Sequence, residues 1–388
     1  LFGVVVVLAT WKLWVGNVDI PRIPATRLLL NVPTGNDGAL LGLLLVSLAG
    51  FGLSASWPRG RRVAASVACL TLAVFVLLDQ NRLQVWGWHL AWLMIVLAID
   101  NGRRGLQAVL LLTAGIYAWS AVSKFDIVFA DTLGPYLVGG LLQSLGMSVD
   151  VSAWPIGWQR AAALSLPIGE FITAVCLFVP RLRFAGCVLS LFQHGILLFM
   201  LGPLGLNHSR SVLLWNIYFL GQNVLLTIFV RSEQPASGYL WNSSLAVRVA
   251  WIPVLLPILH TVGWLDHWPA WAVYSPRQER VRLFVESPQF GGQPWIDTPA
   301  AGQNLVQLRL DRYALEVTNA PIYPQDRVQI GWILDRLQSD AYVVWESPAN
   351  PWTGTRTRRE FWTREELSDF ANNRFRLNFQ PRESPANP

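Results

Sequence analysis

The sequence predicts an all-α polytopic transmembrane helical bundle of eight or nine helices, residues 1–272, followed by a small α+β soluble domain, residues 277–388. Three observations predict it. Only 14% of the 388 residues are charged, whereas 53% are hydrophobic and 20 are Trp. The long apolar runs all fall within the first 272 residues, as expected where lipid is the solvent. Beyond about residue 275 the composition returns to that of an ordinary soluble protein.

A helix needs about 20 mostly apolar residues to cross the hydrocarbon core. Nine stretches come close: 1–16, 38–56, 63–79, 83–99, 105–123, 157–179, 184–202, 212–230 and 249–266. The run that opens at Leu1 is expected to be the remainder of a first helix rather than a signal peptide. Between the fifth and sixth stretches, Pro135 to Met147 is apolar but too short to span, which predicts a re-entrant or interfacial segment that covers something.

Arg sets the orientation. One set of alternate loops carries Arg59, Arg61 and Arg62, then Arg103 and Arg104, then Arg181 and Arg183, then Arg231 and Arg248, and is expected to face the cytoplasm. The other set is longer and more acidic, with Asp19, Asp37, Asp79, Asp126, Asp131 and Asp150, and is expected to face a periplasm or lumen. An odd number of crossings places the C-terminal domain on that outer side.

In the tail, apolar alternation over Arg280 to Glu286, Leu305 to Leu310 and Ala341 to Trp345 predicts strands, and Gln325 to Gln338 reads as a helix. Thr363 with Glu366 three residues later forms a capping-box pattern that opens another helix. Phe375 to Phe379 is expected to close the sheet. No phosphate loop, nucleophile elbow or metal-spaced cluster occurs here, and the tail contains no His. It reads as a covering domain or one that binds a protein partner through residues 277–388.

The net charge of +6 comes from 28 Arg and two Lys, Lys12 and Lys124, with no interleaved basic and aromatic stripe, which argues against nucleic acid. Cys69, Cys176 and Cys187 all lie in apolar segments and form no CxxC, so they read as packing residues. No His pair has metal-ligand spacing. His260 and His267 read as part of an aromatic interface belt, and His89 with His194 is the one pair that could face across a haem.

Ionisable groups at membrane depth are expensive and therefore mark candidate sites. Tyr117, Ser120 and Lys124 fall at i, i+3 and i+7, a polar stripe on one helical face. In a chain that uses Arg so heavily, a retained Lys points to a group that must be able to lose its proton. Asp79-Gln80-Asn81-Arg82 forms a tight outer connection followed by Trp86 and His89 on the face of Arg82. Glu170 and His194 are expected at similar depth as each other's partner.

Leu77-Leu78-Asp79-Gln80 and Ile116-Tyr117-Ala118-Trp119-Ser120-Ala121-Val122-Ser123-Lys124-Phe125-Asp126 together resemble the paired signatures of the vitamin K-dependent γ-carboxylase-like, or HTTM, membrane proteins. They resemble the DoxX and MauE-type proteins more distantly. The resemblance covers mainly residues 1–230. It implies a reduced quinone as cofactor and Lys124 as catalytic base, with Asp79, Arg82 and His89 beside it. Trp86, Tyr117, Ser120 and His194 would contact the cofactor. The pattern departs at Val85 and Trp86, where the family's Asn-His pair would stand, with His89 one turn further along. A non-catalytic membrane subunit whose tail docks a partner, and a transporter coupled to protons through Glu170 and His194, are the competing functions.

Overall fold

The computed structural model describes residues 2–16, 20–32, 34–232, 244–286, 296, 305–336 and 342–382, so Asp19 and Leu1 lie outside the described residues. Lipid offers backbone groups no hydrogen-bond partners, so an apolar run satisfies them within a helix. Helices accordingly form over Phe2–Ala9 (α1), Trp11–Trp14 (α2), Asp37–Leu53 (α3), Pro58–Leu78 (α4), Val85–Ile99 (α5) and Arg103–Val122 (α6). They continue with Gly134–Ser144 (α7), Ile156–Phe178 (α8), Arg183–Leu201 (α9), Arg210–Ser232 (α10) and Leu245–Leu255 (α11). Each of the nine expected stretches holds a helix. Among the described residues six helical stretches are long and apolar enough to cross a membrane, and Asp37–Leu53 and Val85–Ile99 are shorter apolar helices.

α6 is the axis of the bundle. Its apolar stretch is 72% buried, against 28–39% for the other five long spans, because α8 and α11 pack along it. α9 then packs on α8 and α10, and α3 on α4. A π-helical turn, Phe129–Leu133, follows α6, and the short apolar segment from Pro135 forms most of α7, which lies against α8 and α9. Asp126 accepts a hydrogen bond from the Phe129 backbone N–H at 2.7 Å where the turn begins. Gly134 permits the close approach: a Cβ there would sit 2.5 Å from the Cβ of Ala163 on α8.

The tail folds as an antiparallel sheet with strands Arg280–Glu286 (β1), Leu305–Leu308 (β2), Tyr342–Glu346 (β3) and Arg358–Phe361 (β4), in the order β2-β1-β3-β4. Helices Leu310–Thr318 (α12), Asp326–Arg336 (α13) and Arg364–Arg374 (α14) complete it, and Leu283, Ile330, Ile333, Val343, Trp345, Leu367 and Phe379 build its core. The capping box forms as expected, with the Thr363 hydroxyl accepting from the Glu366 N–H and the Glu366 side chain accepting from the Thr363 N–H.

Phe375 to Phe379 is not a strand. Its backbone bonds leave the sheet: the N–H of Asn378 donates to the carbonyl of Ala25, and that of Arg382 to the carbonyl of Arg22. This segment therefore ties the tail to the connector after α2. The tail sits on the bundle face formed by residues 20–32, 79–84 and 123–128. There the Ile127 N–H donates to the Pro351 carbonyl at 2.9 Å, and the Ser275 hydroxyl to the Ser123 carbonyl at 2.9 Å. The Arg-rich connectors lie at the opposite end, where Arg61 and Asn101 both donate to the Ala55 carbonyl.

Candidate functional site

The residues singled out from the sequence separate into two places. Asp79 and Arg82 belong to the joint between the bundle and the tail. Arg82, only 2% exposed, donates to Asp37 at 2.5 Å and to the Leu13 carbonyl at 3.1 Å. Arg22 shares the same Asp37 oxygen at 2.6 Å. Asp79 accepts from the backbone N–H groups of Asn81 and Ile23. Gln80 between them holds three segments at once. Its amide donates to the carbonyls of Pro24 and Asn378 at 3.0 and 2.6 Å, and its oxygen accepts from Arg327 at 2.5 Å. Asn81 accepts from the Tyr323 N–H at 2.7 Å, and Trp86 packs edge-on against Trp14.

His260 and His267 also belong to this joint rather than to an interface belt. Their rings pack edge to face at 4.8 Å, and His267 Nε2 lies 3.2 Å from the Glu279 carboxylate on the tail. Asp266 beside them takes Arg327 on both oxygens and the Tyr323 hydroxyl at 2.7 Å. Burial pushes the Asp266 carboxyl up, but the hydrogen bonds and charge of Arg327 outweigh it and hold the group below the usual carboxylate range.

Lys124, Tyr117, Ser120 and His194 come together at a second place, a cavity of about 430 Å³ among α6, α7, α8, α9 and α10. That volume falls in the range of small-molecule sites. Phe129 from the π-turn and Leu137 and Leu141 from α7, the short apolar segment, line one side of it. Ile172 on α8 and Phe192 on α9 line it too, yet they are 48% and 66% exposed, so the cavity opens between these helices where lipid would lie.

Lys124 is the polar end of this space. Its Nζ lies 2.6 Å from Ser120 Oγ and 3.0 and 2.8 Å from the two oxygens of Glu170. The expected pairing of Glu170 with His194 is therefore replaced by an ion pair with Lys124. Residue count along α8 misleads about depth because the helix starts outside the apolar layer. Arg160 in its second turn pairs with Asp131 at 2.6 Å, with both side chains about a third or more exposed. Glu170 follows about 15 Å further along the axis, within reach of the lysine at the end of α6. Arg82 does not reach Lys124, and Asp126 meets it through the backbone, its N–H donating to the Lys124 carbonyl at 2.9 Å. The sequence signal for Glu170 was present, since it is the one Glu inside the apolar helices up to α9.

His194 turns to Asn216, with Nδ1 2.9 Å from the amide oxygen. His89 is not on the cavity wall. It accepts from Trp215 Nε1 at 3.3 Å and stacks on Phe219 at 4.8 Å, and His194 stacks on the same ring at 4.6 Å. Both histidines therefore pack on Phe219 rather than facing each other across an open space.

No family model matches the chain, and no solved structure matches it. A stretch of 156 residues, 38% of this chain, is 33% identical to Nurim of Xenopus laevis. The match spans 50% of that protein, so the chain spans about half the length of the curated relative it matches. These findings overturn the resemblance to the HTTM, or γ-carboxylase-like, family, which rested on two short motifs. The structure separates those motifs as well, with Asp79 and Gln80 in the joint and Lys124 in the cavity. The chain is a multi-pass integral membrane protein with distant similarity to Nurim.

Proposed function

We propose that this protein takes a lipid-soluble, hydrogen-bonding molecule from the bilayer into the cavity beside Lys124. The observation that carries the proposal is the Lys124–Glu170 ion pair on the wall of a mostly apolar space that opens between α8 and α9. Charges at this depth are costly, and a pair serving only to join two helices would be better packed and closed.

The chemistry open to this pair differs from a free lysine base. Glu170 on one side and Ser120 on the other take up the Lys124 amine at 2.6 to 3.0 Å. A ligand hydroxyl would donate a hydrogen bond to the Glu170 carboxylate, whose oxygens the lysine only partly occupies. A reduced quinone has hydroxyls of the required kind and is the first probe. Asp79, Arg82, Trp86 and His89 act on this site only through the packing that holds the bundle and tail together.

The loop charges support placing the tail on the outer face and the Arg-rich connectors in the cytoplasm. The test of function is extraction of purified protein from native membrane, with mass spectrometry of retained apolar molecules. Wild type should retain a molecule that Lys124→Met/Glu170→Leu, an apolar pair replacement, loses. Equal retention by both would sink the proposal.

A further inference from the structure

We infer that the cavity selects neutral lipids that donate a hydrogen bond, an alcohol or phenol on an apolar body, and that Glu170 makes the selection. This rests on the reading of the cavity as a lipid-ligand site, and it deepens that reading by naming the ligand class.

The argument begins with donors. An ammonium group has three N–H bonds and no acceptor. At Lys124 all three have partners, in Ser120 Oγ at 2.6 Å and Glu170 Oε1 and Oε2 at 3.0 and 2.8 Å. The lysine therefore has no further donor to offer a ligand. Glu170 differs: a carboxylate has about four lone-pair sites, and the lysine occupies two. Its side chain is also the more open of the two, at 18% exposure against 5%. The unspent capacity at the polar end is that of an acceptor.

His194 points the same way. The Asn216 amide nitrogen donates to the Val212 carbonyl at 2.9 Å, which leaves the amide oxygen to accept from His194 Nδ1. Nε2 then carries a lone pair, so His194 adds no donor to the cavity wall; the atom is buried and has no hydrogen-bond partner among the described residues. Because the Lys124–Glu170 pair is neutral overall, a charged head group would gain little on entering and would lose its hydration. The opening beside Ile172 and Phe192 admits a molecule that arrives with its apolar body in the bilayer.

The test uses full-length protein in nanodiscs labelled by a diazirine-bearing long-chain alcohol, with competition by 1-dodecanol, its methyl ether and dodecanoic acid. A hydrogen bond to a charged acceptor predicts that the alcohol competes roughly 10- to 100-fold better than the ether. In Lys124→Met/Glu170→Leu the alcohol and ether should compete within about twofold of each other, since both differ only at a hydroxyl the site no longer reads. Equal competition by alcohol and ether in wild type overturns the inference while leaving a lipid cavity in place. Stronger competition by the acid overturns it in favour of an anion site at Lys124. No saturable labelling at all overturns the cavity reading itself.

Discussion

Lys124 at the end of α6 and Glu170 in α8 meet at 2.8 Å, and this one contact turns an apolar gap between helices into a site with a polar end. Removing one partner strands the other charge in a poorly solvated place. Lys124→Met alone should destabilise the protein by about 3–5 kcal/mol. Lys124→Met/Glu170→Leu should recover most of that loss, because two apolar side chains replace the pair. Thermal unfolding of the three proteins in one detergent checks the prediction, which fails if the double variant is as unstable as the single.

Gln80 should govern how firmly the tail is held. It is 3% exposed and bonds to Pro24, Asn378 and Arg327, which come from the first connector and from two parts of the tail. Gln80→Ala leaves the Asn378 carbonyl and Arg327 Nε without that partner, at about 1–3 kcal/mol for each one that water cannot reach, while the Pro24 carbonyl keeps the Asn378 amide at 2.9 Å. Limited proteolysis should then cut the tail faster while the bundle remains resistant. Unchanged cleavage would mean the apolar contacts of the joint suffice.

Much of this architecture was legible because membrane solvent imposes a simple rule on sequence. The nine apolar stretches all contain helices, and β1 spans the alternating run from Arg280 to Glu286. α12 is hidden in the sequence although Leu310, Tyr313, Ala314 and Val317 recur at helical spacing, because the alternating run before it takes in Leu310. β4 carries no such signal: it is an edge strand with Arg358, Arg359 and Glu360 exposed and only Phe361 buried. The site was half legible. Tyr117, Ser120 and Lys124 share a face by spacing alone, but the partner of Lys124 depends on how far α8 slides along α6. The role of Asp79 and Arg82 depends on Asp37, Arg22 and Ile23, which no local pattern brings near.

Sidedness has a direct chemical readout. Thr353 is exposed on the tail and Arg104 is exposed at the opposite end of the bundle, while the three native cysteines lie within helices. Thr353→Cys in sealed, right-side-out vesicles should react with a membrane-impermeant maleimide, and Arg104→Cys should react only after the membrane is opened. The reverse pattern would place the tail in the cytoplasm.

Acid should loosen the joint through Asp266. Its folded-state carboxyl titrates below the ordinary value because Arg327 and the Tyr323 hydroxyl outweigh the cost of burial. A depressed folded value means that the stabilisation is fully present above the unfolded value of about 4 and is lost as pH falls through the folded one. Asp266→Asn lacks this charge at every pH. Wild type should therefore be more stable than Asp266→Asn at neutral pH by a constant margin, and the margin should shrink below about pH 4. Paired melting curves between neutral pH and about pH 3 measure that difference directly, and other carboxylates that titrate in both proteins cancel from it. A margin that widened in acid would show that burial, not Arg327, dominates at Asp266.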